Sequence, residues 1–242
     1  MSTNLRQQQI LELLEENGAV SVKDLTRRLF VSEATVRRDL CELEKQGALQ
    51  RNYGGATSVL AINEQVPLFI REGLDGKAKN EICRRAAAIV KNGDTVFLDG
   101  SSTVQYLVTH LAHLENVTVV TYSIKTAELA CQNHIKTYCV GGLLMENSLV
   151  CTGAMAIAFA EQFNVDVAFL SCKGVSEDGR FTDTSEEETA IRRAFLQNAR
   201  TSALLMTQNK FGNTYLHTLC HARDVDYLFS DGEIPSSIQT RQ

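Results

Sequence analysis

No stretch of this 242-residue chain approaches the roughly 18 uninterrupted apolar residues that a membrane span needs. The N-terminus, MSTNLRQQQ, lacks the basic-then-apolar order of a secretion leader. Both absences point to a cytoplasmic protein with no membrane partner. No C-x-x-C pair occurs: the seven cysteines (41, 83, 131, 139, 151, 172 and 220) are odd in number and irregularly spaced. They read as reduced, mostly buried thiols rather than a disulfide framework. An excess of basic residues is missing too, because the formal charge is -5. That argues against a generally basic nucleic-acid coat, although a whole-chain balance averages over domains. Residues 1–58 alone hold eight Lys plus Arg against eight Asp plus Glu, so the remainder carries the whole deficit.

What is present is enough apolar material, 44% of residues, to bury one large or two modest cores. Ile10, Leu13 and Leu14 sit at i, i+3 and i+4 before Asn17-Gly18, which reads as an amphipathic helix with a glycine stop. A second helix is expected at once: Ser21 followed by Asp24 suits an N-cap, and Val22, Leu25 and Leu29 line one face. After a short turn at Phe30-Val31, Ser32 can cap a third helix on which Val36, Leu40 and Leu43 face the core. It should end near Gly47. Helical geometry then turns Ala34, Arg38 and Lys45 outward and sets Thr35 and Arg37 on the flanks.

Two short helices, a tight turn and a third helix exposing arginines at its start make a helix-turn-helix, whose last helix enters the major groove of DNA. Next, Leu49, Arg51 and Tyr53 alternate before Gly54-Gly55, and Thr57-Ser58-Val59 returns, which reads as a hairpin or wing. The candidate DNA contacts are therefore Arg28, Ser32, Glu33, Ala34, Thr35, Arg37, Arg38, Arg51 and Tyr53. Arg38 is expected at base edges, Arg37 at a base edge or phosphate, and Arg51 against phosphate.

The run "SEATVRRDLCELEKQGALQRNYGGA" resembles the N-terminal signature of the DeoR-type bacterial transcriptional regulators. That resemblance implies a winged helix-turn-helix joined to a sugar-phosphate-sensing domain. Residues 59–76 contain Pro67, Gly73 and Gly76 and no sustained periodicity, so they read as a linker between a DNA-binding domain at 1–58 and a larger domain at 77–242. "FIREGLDGKAKNEIC" resembles the family's connector, with Arg71 and Lys79 at its usual basic positions.

From about residue 80 helical and strand patterns alternate. Ile82 to Val90 is amphipathic, and TVFLD (95–99), VTVVT (117–121), KTYCVGG (136–142) and DVAFLS (166–171) are short apolar runs of the kind buried in parallel sheets. ALLMT (203–207) and DYLFSD (226–231) should complete a doubly wound, mostly parallel α/β domain. Ligands of such sheets bind beyond the carboxyl ends of the strands. There Asp99-Gly100-Ser101-Ser102-Thr103 meets a helix expected over 104–112, Thr121 meets Tyr122-Ser123, a strand runs into Gly141-Gly142, and another ends at Cys172-Lys173-Gly174. Hydroxyls at a helix N-terminus favour an anion.

The motifs "GDTVFLDGSSTVQYL", "VVTYS", "VGG", "DVAFLSCKGVSEDGRFTDTSEEETAIRRAFLQNA" and "NKFG" extend the resemblance through this domain, which in the family is similar in fold to sugar-phosphate isomerases. It implies a phosphosugar pocket using Asp99, Gly100, Ser101, Ser102, Thr103, Thr121, Ser123, Gly141, Gly142, Lys173 and Lys210, with Tyr122 and Gly174 alongside. Two places depart from the family pattern: Tyr122 stands where asparagine is more usual, and Thr207-Gln208-Asn209 where an aspartate-serine-serine run precedes the lysine. The ligand's phosphate is expected on the Gly100 to Thr103 loop and Asp99 at the sugar hydroxyls.

Other clusters read more plainly. Ser185 with Glu188 suits a capping box, leaving Glu186 or Glu187 as contacts to sugar hydroxyls. His217, Cys220 and His221 suit an ordinary surface helix rather than a metal site, and Cys172 a buried strand-end thiol rather than an oxidant sensor. No cofactor or metal is expected. Two functions stay open: a ligand-controlled regulator, acting as a dimer or tetramer on operator DNA under a phosphorylated sugar, and an isomerase-like enzyme carrying a DNA-binding domain. The candidate loops hold no histidine to serve as a base, which favours the regulator with no catalytic residues.

Overall fold

A computed structural model describes residues 3–45, 48–58 and 68–241. The chain divides into two units, Met1–Leu74 and Asp75–Gln242. In the first, helix α1 (Thr3–Asn17) ends at Gly18, whose φ of +69° a glycine adopts without strain. A three-residue strand β1 (Ala19–Ser21) then precedes α2 (Val22–Leu29), a step that the expectation of an immediate second helix passed over. Three residues are too few to show alternation; β1 exists because the wing pairs with it.

Ser21 caps α2 by accepting from Asp24 N at 3.0 Å, and Ser32 accepts from Thr35 N at the start of α3 (Glu33–Lys45). The expected stop at Gly47 lies outside the described residues, as does Val59. Strands β2 (Leu49–Asn52) and β3 (Gly55–Ser58) form the wing, with β3 between β1 and β2. The turn falls on Tyr53-Gly54, while Gly55 belongs to β3, where a Cβ would sit 1.9 Å from Val20 O across the pair. Ile10, Leu14, Leu25, Val36, Leu40 and Leu43 are buried together beneath this frame.

Within the segment read as a linker, Leu68–Gly73 forms α4, and Leu74 packs in the core of the first unit. Six residues span less than two turns, too short for a readable period. Helix α5 (Gly76–Ala86) opens the second unit and passes into a 3-10 turn at Ala87–Ile89.

The second unit is built on six parallel strands: β4 (Thr95–Leu98), β5 (Thr118–Thr121), β6 (Lys136–Cys139), β9 (Val165–Leu170), β12 (Ala199–Met206) and β14 (Tyr227–Ser230). Their order in space is β14-β12-β9-β4-β5-β6. The chain starts in the middle, winds outward through β5 and β6, returns to β9 beside β4, and winds outward the other way. This is the doubly wound order, and its switch point lies between β4 and β9.

Alternate residues face opposite layers. Val96 and Leu98 pack with α5, α6 (Leu107–Leu111) and α7 (Ile124–Gln132), whereas Phe97 packs with α8 (Ala154–Ala160) and α9 (Glu186–Gln197). A hairpin of β7 (Leu143–Met145) and β8 (Val150–Thr152) follows the edge strand β6. Strands β10 (Gly174–Val175), β11 (Arg180–Asp183) and β13 (His217–His221) form a small antiparallel sheet.

Three expectations need correction. KTYCVGG is no buried strand: only its first four residues are extended, at the sheet edge, with Lys136, Tyr138 and Cys139 exposed. The helix expected over 104–112 is a 3-10 turn, Val104–Tyr106, followed by five α-helical residues. His217, Cys220 and His221 lie on a strand whose bulge against β11 puts His217 and Cys220 on one face and His221 on the other, with the histidines about 13 Å apart. None of the described helices is long and apolar enough to cross a membrane.

Candidate functional sites

On α3 the apolar stripe turns Val36, Leu40 and Leu43 inward and leaves Ser32, Glu33, Ala34, Arg37 and Arg38 exposed, with Thr35 half-buried. Arg28 is exposed at the end of α2. Arg37 lies 3.6 Å from Glu33, an open surface pair worth little and readily exchanged for a phosphate. Arg38 makes no ion pair among the described residues. Arg51 is partly committed: Glu44 accepts from its backbone N–H at 3.0 Å and faces its guanidinium at 3.7 Å. Tyr53 stands fully exposed at the tip of the wing.

Asp39, which follows Arg38, has a role that pattern reading missed. It is fully buried and receives two hydrogen bonds from the buried Arg6 guanidinium of α1, one of them 3.0 Å long. The hydrogen bond to this carboxylate raises the Arg6 pKa above its ordinary value, so the guanidinium stays charged. Gln7 donates to Glu42 at 2.8 Å and adds a second link between α1 and α3. A signal was available: Asp39 falls inside the stripe of Val36, Leu40 and Leu43, where an acid needs a partner.

At the switch point of the larger unit, Asp99 is engaged within the fold. It is fully buried, accepting from Ser101 N at 2.9 Å and Ser171 N at 2.8 Å, with Arg192 Nε at 3.2 Å. It therefore clasps the carboxyl ends of β4 and β9 together. Arg192, itself buried, also donates to Asp183 at 2.7 Å, Glu188 at 2.8 Å and the Tyr122 hydroxyl at 3.1 Å. Burial alone would raise the Asp183 pKa, but the Arg192 charge prevails and holds it below its usual value. Tyr122 is wholly buried beside Phe97, and burial pushes its hydroxyl pKa far up, so it is a neutral core group.

The loop after β4 departs from the expected phosphate cradle. Ser101 Oγ accepts from Val104 N, and the Ser101 carbonyl from Gln105 N, so these helix-start donors are already used. Thr121 Oγ1 accepts from Ser123 N, and Ser123 caps α7 through Thr126 N. Gly100, Gly142 and Gly174 are tight packing positions, where a Cβ would come within 2.3, 2.5 and 2.5 Å of Val150, Thr152 and Asn213 atoms. Gly141 is exposed with open space around it.

Cationic and hydroxyl groups occupy the same edge. Lys79, on the buried face of α5 with Ile82, Cys83 and Ala86, donates to Ser102 Oγ at 3.2 Å. Lys210, on the turn after β12, donates to Ser171 Oγ at 2.9 Å and Cys172 O at 2.8 Å. The Lys173 ammonium lies 5.2 Å from the Tyr215 ring centre. Thr103 Oγ1 is buried with no hydrogen-bond partner among the described residues. Chemically, this edge suits a small anion carrying hydroxyls.

Two clusters resolve differently from the rest. Ser185 caps α9 through Glu188 N, but the Glu188 carboxylate turns to Arg192 instead of closing the box, and Glu186 and Glu187 are exposed. Burial pushes the Cys172 thiol up to about 12, so it is protonated at neutral pH.

A family model described as the DeoR-like helix-turn-helix domain matches residues 6–61, and one described as the DeoR C terminal sensor domain matches residues 75–232. The chain is 33% identical over 236 residues to the uncharacterized HTH-type transcriptional regulator YulB of Bacillus subtilis, covering 97% of this chain and 91% of that protein. It is 28% identical to the glycerol-3-phosphate regulon repressor of Escherichia coli, covering 98% and 94%. Among solved structures, the tetrameric eIF2B-beta2-delta2 complex from C. thermophilum aligns over 84% of this chain and 64% of its own with a TM-score of 0.50 at 13% identity, a likeness of fold. A ribose-5-phosphate isomerase in complex with phospho-erythronic acid aligns over 56% and 54% with a TM-score of 0.44 at 15% identity.

Proposed function

This chain belongs to the DeoR family of DNA-binding transcriptional regulators, and from that premise we propose that it is a repressor released from its operator by a phosphorylated sugar held at the carboxyl ends of β4, β9 and β12. One observation carries the reading: Lys79, Lys173 and Lys210 lie along one strand edge with the Ser102 and Thr103 hydroxyls, in a protein of net charge -5. A phosphate monoester is close to doubly charged at neutral pH and suits ammonium and hydroxyl donors of this kind. The Escherichia coli relative is by name a repressor of a glycerol-3-phosphate regulon, which supports both repression and a phosphorylated polyol in the ligand screen.

The isomerase-like reading is weaker. Asp99 has both oxygens engaged, and the five histidines (110, 113, 134, 217 and 221) fall outside the loops at this edge. A sugar isomerisation needs a positioned base.

A thermal-shift screen of phosphorylated sugars tests the proposal. At 100 times its dissociation constant a ligand stabilises by about 2.7 kcal/mol, which should raise the melting temperature of a unit this size by roughly 5–10 °C. Ser102→Glu places a carboxylate beside Lys79, where the phosphate would lie, and should remove the shift while operator affinity stays unchanged. A wild-type chain indifferent to every sugar phosphate would sink the ligand assignment, and catalytic turnover of any of them would restore the enzyme reading.

The DNA half rests on exposed arginines at the start of α3. Arg38→Ala should cost about 1–3 kcal/mol of discrimination between operator and random DNA, as loss of a base contact does. Arg37→Ala, if Arg37 contacts phosphate, should weaken binding to both DNAs alike. Titrations against both DNAs separate these roles, and unchanged affinity in both variants would remove the assignment. A winged helix covers one half-site, so the working unit is at least a pair of chains.

A further inference from the structure

Residues 137–160 carry a single charge, Glu146, in a chain that is 22% charged. This stretch comprises most of edge strand β6, the β7–β8 hairpin and α8. Helix α8, AMAIAFA, is apolar all round, as a helix buried on every side would be. Yet only Ala156 and Ala160 are buried on it, while Met155 is 81% exposed and Phe159 also reaches solvent. Leu143 (69% exposed), Leu144, Leu149 and Tyr138 extend the apolar surface over the hairpin and β6. Together these six side chains expose on the order of 700 Å², close to the ~800 Å² that each partner buries in a standard interface. Depletion of charge with enrichment of Met and aromatics is the composition of an interface core.

We infer that this face is where a second copy of the chain docks, with α8 and the hairpin at its centre. The inference rests on the proposed pairing of two chains on one operator, and it names the surface that makes the pair. Exposed Ala154 and Ala158 on α8 allow a close approach. The inner side of the same element backs the effector loops: a Cβ on Gly142 would lie 2.9 Å from Ala156 Cβ, and one on Gly100 would lie 2.3 Å from Val150 Cγ1. A ligand that moves either loop therefore pushes directly on the pairing face, a short route from sugar binding to DNA release.

Sedimentation velocity of the full chain at micromolar concentration provides the test. The wild type should associate, and Met155→Glu should weaken that association by at least about 30-fold, the effect of losing an interface hot spot. Its melting temperature should fall only as far as that of the wild type diluted until the pair separates, because Met155 contributes little buried surface in the single chain. The chain has no tryptophan, so Met155→Trp installs a lone emitter, whose fluorescence should shift to the red on dilution as the pair separates. A wild type that associates, with neither variant responding, overturns this surface and leaves the pairing intact. A monomeric wild type overturns both, and leaves the face to a different protein.

Discussion

Replacing Arg192 with methionine should destabilise the larger unit by about 3–5 kcal/mol or more, the cost of removing one partner of a buried ionic cluster. That corresponds to a fall of roughly 6–20 °C in melting temperature. Arg192 pairs with Asp99, Asp183 and Glu188 at once, so methionine fills the space but strips three carboxylates of the partner they share. The pH dependence gives a second signature. In the wild type Asp183 titrates below its unfolded value, so its contribution is present above about pH 4 and lost as pH falls through the folded pKa. Without Arg192, burial prevails at Asp183 and raises its pKa above the unfolded value, so the folded state binds more protons. The variant should therefore gain stability as pH is lowered from about 7 to 5, where the wild type is nearly flat. Melting curves across that range check the sign. A variant whose stability follows the wild-type pH profile would show that the cluster is not held by charge.

Asp39→Ala should have the second largest effect, confined to the DNA-binding unit. It leaves Arg6 buried without its counter-charge and removes the main polar tie between α1 and α3. The expected loss of about 3–5 kcal/mol is a large part of the total stability of a unit this small. Operator binding should fall by far more than for Arg38→Ala, on operator and random DNA alike, because the reading helix loses its support. The ligand-induced thermal shift of the larger unit should survive. Replacing both partners by apolar residues, Arg6→Met with Asp39→Leu, should recover much of the stability, since a buried pair exchanged whole for apolar groups costs little. If the single variant melts and binds like the wild type, the pair is ornamental.

Local chemistry made the first unit readable. Ser21 and Ser32 cap the helices they were expected to cap, Gly18 ends α1, and the stripe of Val36, Leu40 and Leu43 faces inward. Each of these signals spans no more than about seven residues and reports one helix face. In the larger unit the apolar runs at 95–99, 117–121 and 166–171 became parallel strands for the same reason: residues with two covered faces must be apolar throughout. The edge run at 136–142 misled, because an edge position leaves one side open, which composition does not reveal.

The site was legible only in outline. The sequence by itself determined which strand ends bear hydroxyls, glycines and lysines, since small and polar residues must follow each strand where the chain turns. Tertiary structure alone decided which of them are spent on holding the fold. Asp99 meets Ser171 across 72 positions and Tyr122 meets Arg192 across 70. Lys79 reaches Ser102 from a different helix, and Arg6 finds Asp39 from another still. Periodicity records which way a side chain points relative to its own element, not which distant charge it meets. Only the packing of the elements brings those groups within hydrogen-bond distance, and at the switch point that packing commits Asp99 and Tyr122 to the frame.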